Sequence, residues 1–202
     1  MTANVTDSHS PACKLDRHGW LLPAPGIQLA PSPNSDQRPA DTNISLLVIH
    51  NITLPPGVFG GPEITDLFLN RLDYSSHPWL ERLRDLRVSA HFLIRRDGSI
   101  VQYVATEQRA WHAGVSLFEN RNRCNDFSLG IELEGTDTVP FEDAQYATLQ
   151  KLTQTLRQRY PLRAVRGHEH IAPGRKTDPG PCFDWNRYMH MADWPRRLMP
   201  PA

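Results

Sequence analysis

Two histidines and one aspartate, far apart in this chain of 202 residues, are of the types that together bind a catalytic metal ion. His50 follows an apolar run, residues 44–49, whereas His168 and Asp178 lie in a segment rich in proline and glycine, residues 167–181. Neutral imidazole and carboxylate groups suit Zn²⁺, and three protein ligands leave a fourth tetrahedral position open for water. The pattern therefore predicts a zinc site with hydrolytic chemistry.

Other ligand sets are compatible with these residue types. The chain holds nine histidines, so some will lie near an aspartate by chance. Fe(II) also takes two histidines and a carboxylate, but its usual pattern places the acid two residues after the first histidine, where this chain has Ile52. Cys182 is a rival to Asp178 as the third ligand. Asp178 is favoured because it lies nearer to His168 in the sequence. His170 is expected to be exposed or to lie behind the ligands, and His91, within an apolar strand, to be a hydrogen-bonded core residue.

A general base is also available in the sequence. Glu132 and Glu134 alternate with Ile131 and Leu133, so the two carboxylates share one face of a predicted strand. A carboxylate on a mostly apolar strand costs free energy unless a partner or solvent receives it. One of the two is therefore a candidate for deprotonating a catalytic water; the alternative is a strand face that meets solvent.

Cationic and aromatic side chains could bind the substrate and the charge that develops in the reaction. Lys176 lies two residues before the predicted aspartate ligand, where it could stabilise an oxyanion, although most single lysines are simply solvated. Trp111 and His112 could stack on the face of a sugar or lactam. Arg87 and Arg123 could bind a carboxylate bidentately.

The elements that must position these residues alternate along the chain. Predicted strands span residues 45–50, 88–95, 100–104, 127–133 and 164–167, and predicted helical segments span residues 63–72, 79–86 and 142–160. The continuous apolar character of the first of these strands favours a central position, and Asp97-Gly98 predicts a hairpin. We therefore expect an α/β (α+β) fold, with a central mixed β-sheet flanked by helices and the metal site at one end of the sheet.

The length of the chain predicts a single domain. We assign residues 20–190 to the catalytic domain and residues 191–202 to a C-terminal tail. Residues 1–19 belong to a segment rich in proline and polar residues, and they are expected to form a disordered or loosely attached N-terminal extension.

Composition narrows the possible partners. Lys and Arg together number 22, as do Asp and Glu, so no basic surplus points to nucleic acid. No run approaches the roughly 18 apolar residues that a membrane span needs, and no secretory signal is evident. The three cysteines lack a CxxC spacing, which favours a reducing cytoplasm over a disulfide framework. We expect a cytoplasmic monomer.

Six short motifs give the chain a resemblance to a known family. They are residues 47–51 (LVIHN), 88–92 (VSAHF), 109–114 (RAWHAG), 124–128 (CNDFS), 130–137 (GIELEGTD) and 175–181 (RKTDPGP). In this order they resemble the zinc-dependent N-acetylmuramoyl-L-alanine amidases, the type 2 amidase family that includes phage lysozyme-like amidases and peptidoglycan recognition proteins. The resemblance covers about residues 20–188. Within the family it is strongest to the cytoplasmic branch that acts on 1,6-anhydro muropeptides.

The resemblance assigns roles to individual residues. It implies that His50, His168 and Asp178 bind zinc, that Glu132 acts on the catalytic water, and that Lys176 stabilises the transition state. In much of the family a cysteine is the third ligand, whereas the anhydro branch has an aspartate, as here. The resemblance also implies substrate contacts for Asn51, Arg87, Trp111 and Arg123.

The implied reaction is hydrolysis of the amide bond between the lactyl group of (1,6-anhydro)-N-acetylmuramic acid and L-alanine, in the recycling of cell-wall muropeptides. The small-molecule substrate would be an anhydromuropeptide. Two alternatives are a non-catalytic peptidoglycan-binding relative and a lytic relative acting on intact wall. The presence of all three ligands with Glu132 and Lys176 argues against the binding module. The chain has no HExxH motif, which makes a conventional zinc peptidase remote.

Overall fold

The apolar run before His50 forms a strand that lies inside a six-stranded sheet. The structure is a computed structural model and describes residues 13–200. In this range the strands are β1 (Ile27–Leu29), β2 (Ser35–Gln37), β3 (Leu46–Ile52), β4 (Phe92–Ile94), β5 (Ile100–Gln102), β6 (Gln108–Ala110), β7 (Leu117–Phe118), β8 (Arg121–Asn122), β9 (Ser128–Glu134) and β10 (Ala164–Gly167). The α-helices are α1 (Glu63–Phe68), α2 (Asp143–Arg159), α3 (His168–Ile171) and α4 (Trp185–Met191), and 3-10 turns span Tyr74–Ser76, Pro78–Leu83, Cys124–Asp126 and Arg196–Leu198.

The main sheet has the strand order β1-β5-β4-β9-β3-β10 and is mixed, as predicted. Only β4 and β5 pair antiparallel, through the predicted hairpin, and the other neighbours are parallel. The pairing of β3 with β9 places His50 opposite Glu132, and β10 runs beside β3 with Gly167 opposite Ile49. The carboxyl ends of β3 and β10 therefore lie side by side, and His168 follows directly from β10.

The two faces of the sheet have different contents. Leu129, Ile131 and Leu133 of β9 belong to a core cluster with Leu149 and Leu152 of α2. The alternate residues of β9 point to the opposite face, because side chains along a strand change face at every residue. A single strand thus supplies both the main hydrophobic core and the face on which the predicted site lies.

Helix α2 has sequence signals at both ends. The Gln145 side chain accepts a hydrogen bond from the Glu142 N–H in a capping box, and Arg157 and Arg159 lie in the last turn, near the negative end of the helix dipole. Its bounds agree with the predicted helix over residues 142–160, which Pro161 ends.

Several predicted elements are shorter in the structure. Helix α1 stops at Phe68 because Asn70 adopts a left-handed conformation, with φ 58°. The predicted helical segment 79–86 is a 3-10 turn over Pro78–Leu83. The strand predicted over residues 88–95 pairs with β5 only through Phe92–Ile94.

The N-terminal segment differs from the predicted extension where the structure describes it. The Gly19 carbonyl accepts hydrogen bonds from the Gln102 side chain and from the Thr106 backbone, and Arg159 donates to the carbonyls of Asp16 and Arg17. Residues 13–19 are therefore part of the packed domain, whereas the rest of the predicted extension, residues 1–12, lies outside the described residues.

The C-terminal segment also contributes to the domain, because Trp194 and Met199 are buried in the main core cluster. None of the helices within residues 13–200 combines the length and apolar character that a membrane crossing requires.

His91 is the hydrogen-bonded core histidine that its apolar surroundings predict. Its ring is fully buried, Nδ1 accepts from the Gly130 N–H at 3.0 Å, and Nε2 donates to the Gln108 carbonyl at 3.1 Å. Burial, and secondly the charge of Arg38, hold the pKa of His91 well below its ordinary value. The folded protein therefore keeps this ring neutral.

We expect this neutral ring to make stability depend on pH. Below about pH 6.5 the unfolded chain binds a proton at residue 91 that the folded chain rejects, so the free energy of unfolding falls as pH falls, by up to about 1.4 kcal/mol per pH unit for this one group. Urea unfolding between pH 7.5 and pH 5 measures the slope. The variant His91→Gln, whose amide can also accept from Gly130 and donate to Gln108, should show a shallower slope; equal slopes would contradict the assignment.

Candidate metal centre and active site

The three predicted metal ligands come together at the carboxyl ends of β3 and β10. His50 Nδ1 lies 3.1 Å from His168 Nδ1 and 2.9 Å from Asp178 Oδ2, and His168 Nδ1 lies 3.1 Å from Asp178 Oδ2. Among the described residues these three form the group that could hold a metal ion. The separations of about 3 Å suit three ligand atoms that bind one ion at roughly 2.0 to 2.2 Å.

The hydrogen-bond partner of His168 shows which of its nitrogens is free to bind a cation. Its Nε2 lies 3.0 Å from the Ala113 carbonyl oxygen, which can only accept, so Nε2 carries the proton. The Nδ1 lone pair therefore points at His50 and Asp178. This is the arrangement in which a metal-binding histidine uses one nitrogen for the ion and the other for an orienting acceptor.

The electrostatics of the group favour the forms that bind a cation. Burial, followed by the neighbouring charge of His168, lowers the pKa of His50 to about 4, so its imidazole is neutral. Burial raises the pKa of Asp178, but the hydrogen bonds and charges of His168 and His50 outweigh it and hold this pKa well below its usual range. Neutral imidazole and ionised carboxylate are the protonation states that a metal ion requires.

Asn51, predicted to contact substrate, supports the loop that carries Asp178. Its Nδ2 donates to Asp137 Oδ1 at 2.7 Å and to the Pro179 carbonyl at 3.0 Å, which uses both N–H bonds of the amide. Gly180 packs against the same Asp137, since a Cβ there would lie 2.6 Å from its Oδ1. Asn51 also lines the cavity beside the metal ligands, so its amide oxygen is the atom that it can offer to a ligand.

Glu132 has a carboxylate oxygen that the structure, over residues 13–200, leaves without a hydrogen-bond partner. It lies opposite His50 in the β3–β9 register and is buried, and Oε2 has no hydrogen-bond partner within the described part of the chain. Burial, and then the charge of Asp178, raise the pKa of Glu132 well above its ordinary value, whereas Lys176 acts in the opposite direction. A buried carboxylate with a perturbed pKa, in a cleft beside a candidate metal site, is a candidate general base.

Glu134, the rival candidate on the same face, has a structural role instead. Its carboxylate accepts hydrogen bonds from the Gly60 N–H at 2.6 Å and the Arg96 N–H at 3.2 Å, and it pairs with Arg95 at 3.5 Å. The alternative of a strand face open to solvent is wrong, because both carboxylates are buried.

A cavity of about 710 Å³ opens beside the ligand group. Its lining includes all three ligands, Glu132 and Lys176, with Lys176 exposed. One wall is apolar and comprises Leu54, Leu67, Phe68, Trp79, Leu83, Leu86 and Val88. The site thus combines a polar metal-binding end with an apolar surface large enough for a small ligand.

Three predicted substrate contacts lie outside the lining of this cavity. Arg87 is exposed and donates to two backbone carbonyls of the preceding turn. Arg123 is exposed, has a left-handed backbone with φ 61°, and pairs with Asp126 at 3.4 Å. Trp111 is half-buried, and its backbone bonds to Ser89. Their substrate contacts remain predictions that the geometry of the cavity does not support.

His112, a predicted substrate contact, lines the cavity, but both nitrogens of its ring have partners within the protein. Its ring is buried, with Nδ1 2.9 Å from His50 Nε2 and Nε2 3.0 Å from Ser128 Oγ. Burial, and then the charge of His50, hold the pKa of His112 well below its ordinary value. The neutral ring has one donor and one acceptor nitrogen, and both are used within the protein.

Two residues near the ligands were not singled out from the sequence. Asn125 Oδ1 accepts from the N–H groups of His112 and Ala113 at 3.1 and 2.8 Å, and Arg175 donates to the Ala113 carbonyl at 2.8 Å. Both fix the backbone segment that orients His168. The motif at residues 124–128 was the available signal for Asn125, but its sequence does not reveal which backbone groups the amide would bind.

His170 and Cys182 are not in the ligand group. His170 is half-buried, its Nδ1 accepts a hydrogen bond from the Gly167 N–H at 2.8 Å, and its ring meets that of Trp185 edge to face. His170 therefore supports the backbone just before His168, and none of its side-chain hydrogen bonds among the described residues reaches a member of the ligand group.

We expect Asn51→Ala to weaken metal binding although residue 51 is not a ligand. Loss of the bonds to Asp137 and Pro179 frees the loop that holds Asp178, and the loss of comparable supporting bonds typically lowers metal affinity about 10- to 100-fold. Competition of the protein with a chromophoric chelator for Zn²⁺ measures the change. The exposed residue Asn122, replaced by alanine, is the matched control; equal affinities for the two variants would show that the loop needs no such support.

Comparison of the sequence with known proteins gives consistent results. Residues 40–181 match the N-acetylmuramoyl-L-alanine amidase family. The chain is 59% identical over 172 residues to the 1,6-anhydro-N-acetylmuramyl-L-alanine amidase AmpD of Citrobacter freundii, a match that covers 84% of this chain and 90% of that protein.

Solved structures show the same fold. A crystal structure of a selenomethionine derivative of AmpD matches with a TM-score of 0.84 and 56% identity, over 88% of this chain and 98% of that one. A complex of the Escherichia coli amidase AmiD with anhydro-N-acetylmuramic acid-L-Ala-D-γ-Glu-L-Lys matches with a TM-score of 0.54 and 30% identity, over 88% of this chain and 65% of that one. The predicted fold class is confirmed.

Proposed function

The chain belongs to the N-acetylmuramoyl-L-alanine amidase family, and from this premise we propose that it works with a zinc ion held by His50, His168 and Asp178. It is an amidase that cleaves the bond between the lactyl group of 1,6-anhydro-N-acetylmuramic acid and L-alanine in muropeptides, for cell-wall recycling. The observation that carries the proposed mechanism is the triangle of ligand atoms about 3 Å apart, in one cavity with the unsatisfied carboxylate of Glu132.

Zinc fits this donor set better than Mg²⁺ or Ca²⁺ does. Two neutral imidazoles and one carboxylate are a ligand combination found in catalytic zinc sites, whereas Mg²⁺ and Ca²⁺ prefer sites made of oxygen atoms. When bound, zinc supplies Lewis-acid polarisation of the scissile carbonyl and makes water more acidic. The proton transfers and the stabilisation of the developing negative charge are carried out by side chains of the protein.

Glu132 acts as the general base. Its free oxygen Oε2 faces no protein donor among the described residues, so it can receive a proton from the attacking water. The raised pKa favours uptake of this proton by the carboxylate, from which it can pass to the departing amine of L-alanine. One residue thus serves as base and then as acid, and the water's proton ends on the leaving group.

Lys176 stabilises the negative charge that develops on the carbonyl oxygen. It lines the same cavity as the ligands, and its charge is felt at both Glu132 and His50. A cation beside the carbonyl oxygen lowers the activation barrier, because this oxygen carries negative charge in the transition state but not in the substrate.

The apolar wall of the cavity is suited to the sugar end of the substrate. Trp79, Leu83 and Leu86 offer a surface on which the bicyclic anhydro sugar can pack, while the peptide extends past the ligand group. Asn51 can accept a hydrogen bond from the peptide through its amide oxygen. A cytoplasmic location and a monomeric state complete the proposal and rest on composition alone.

The substrate assignment is tested by offering two substrates to the zinc-loaded protein. Purified anhydromuropeptide and intact peptidoglycan are incubated separately, and the products are followed by mass spectrometry. We expect free stem peptide mainly from the anhydro substrate. Release from intact wall would favour the lytic alternative, and no cleavage of either substrate with zinc bound would favour a binding module.

We expect Glu132→Gln to abolish most of the activity while zinc stays bound. The amide cannot take the proton of the water, and loss of a general base typically lowers kcat about 10²- to 10⁴-fold. Steady-state kinetics and zinc content are measured on the same sample. The matched control Glu134→Gln, two residues along the same strand face, should lower thermal stability and leave kcat largely unchanged; a fully active Glu132→Gln enzyme would sink the proposed role.

A further inference from the structure

His112 is a buried histidine that the proposed reaction does not use. Its ring lies between the metal ligand His50 and the hydroxyl of Ser128, and the His50 and His112 rings meet edge to face with centroids 5.1 Å apart. Burial of a histidine costs free energy unless one ring nitrogen has an acceptor and the other has a donor.

The positions of the protons in this chain follow from the ligand triangle. If His50 Nδ1 binds zinc, the single proton of its neutral ring is on Nε2, which must then donate a hydrogen bond. The acceptor within reach is His112 Nδ1, at 2.9 Å. His112 in turn carries its proton on Nε2, which donates to Ser128 Oγ at 3.0 Å. One arrangement of protons satisfies every nitrogen in the chain.

We propose that His112 is a positioning residue, which fixes the tautomer and the ring orientation of His50 through the relay His50–His112–Ser128. This inference rests on the proposed zinc centre and adds a role for a residue that lines the cavity but is not one of the proposed ligands. His168 needs no such partner, because the Ala113 carbonyl fixes its tautomer directly.

The surrounding residues hold the His112 ring in the one place where the relay works. A Cβ at Gly130 would lie 2.5 Å from His112 Cγ and 2.6 Å from its Nδ1, so the ring occupies the space above a strand position that lacks a side chain. Asn125 fixes the backbone of the same residue by accepting from its N–H. At the far end of the relay, Arg38 donates to the Ser128 carbonyl at 2.9 Å.

Gly130 and His112 therefore form a matched pair. Gly130 has no left-handed conformation that would require glycine, and it lies in the middle of β9, where glycine weakens a strand. Close approach of the His112 ring supplies a physical reason for this residue. A side chain at position 130 should displace the ring and break the relay without touching any metal ligand.

The relay is tested by two substitutions of similar size at residue 112. His112→Asn keeps an acceptor oxygen near the position of Nδ1, whereas His112→Leu removes the acceptor. Zinc affinity, measured by chelator competition, should fall about 10- to 100-fold in the leucine variant, the range found for loss of an orienting partner of a metal ligand, and much less in the asparagine variant.

A spectroscopic readout separates the relay from simple packing. Long-range ¹H–¹⁵N correlation spectra of the zinc-loaded protein report which nitrogen of His50 carries the proton. We expect protonated Nε2 in the wild type and in His112→Asn, with a signal shifted by its hydrogen bond, and loss of that shift in His112→Leu.

A double-mutant cycle tests the matched pair and covers the case in which the leucine variant fails to fold. Gly130→Ala should weaken zinc binding in the wild type but have little further effect in the His112→Ala background, where the space is open. Equal effects of Gly130→Ala in both backgrounds would overturn the pair.

The outcomes distinguish this inference from the proposed function. Zinc bound by His112→Leu as tightly as by the wild type, or equal losses in the asparagine and leucine variants, would overturn the relay and leave the zinc mechanism intact. A wild-type protein that binds no zinc would overturn both.

Discussion

The register between three parallel strands is the constraint on which the site depends. Pairing of β3 with β9 sets His50 opposite Glu132, and pairing of β10 with β3 brings His168 to the same end of the sheet. Because side chains alternate between the two faces, a slip of one residue would turn His50 into the hydrophobic core and bring Ile49 into the cavity. The same alternation that fills the core with Leu129 and Ile131 therefore places the reactive groups. The same strand pairing therefore determines both the packing of the core and the position of the candidate functional residues.

Burial of so many polar groups beside this pattern is tolerated because nearly all of them have partners. Glu134 is the instructive comparison with Glu132. The two residues are on one face of one strand. Glu134 accepts hydrogen bonds from two backbone N–H groups, whereas Glu132 has a carboxylate oxygen without a donor among the described residues. Buried polar atoms are normally satisfied, so an exception in a cavity beside a candidate cation site points to a partner that comes from the substrate or solvent. The difference is set by the loops that reach each carboxylate, not by the strand.

The sequence was sufficient to predict the elements whose patterns are local, and it singled out the three residues that the structure brings together as a group able to hold a metal ion. The apolar run before His50, the hairpin signal at Asp97-Gly98 and the periodicity of α2 each depend on neighbours in sequence, and each is found in the structure. Burial of His112 could not be predicted in this way. Trp111 and His112 have the composition of a sugar-binding surface. The His112 ring instead lies in the space left by the absent side chain of Gly130 in β9. Contacts of this kind are set by tertiary packing, which residue types and spacing do not encode.

The two histidines of the proposed metal site are held by different kinds of hydrogen-bond partner, and this makes the site asymmetric. His168 donates to the Ala113 carbonyl, an acceptor that every amino acid provides, so its tautomer is insensitive to the side chain at position 113. His50 faces the side chain of His112, and its orientation depends on the identity of that residue and on the absence of a side chain at Gly130. A hydrogen bond to a backbone carbonyl persists when the residue that provides it is substituted, whereas a hydrogen bond to a side chain is lost with a single substitution. The half of the proposed metal site built on β3 is therefore the half that sequence variation can most easily weaken.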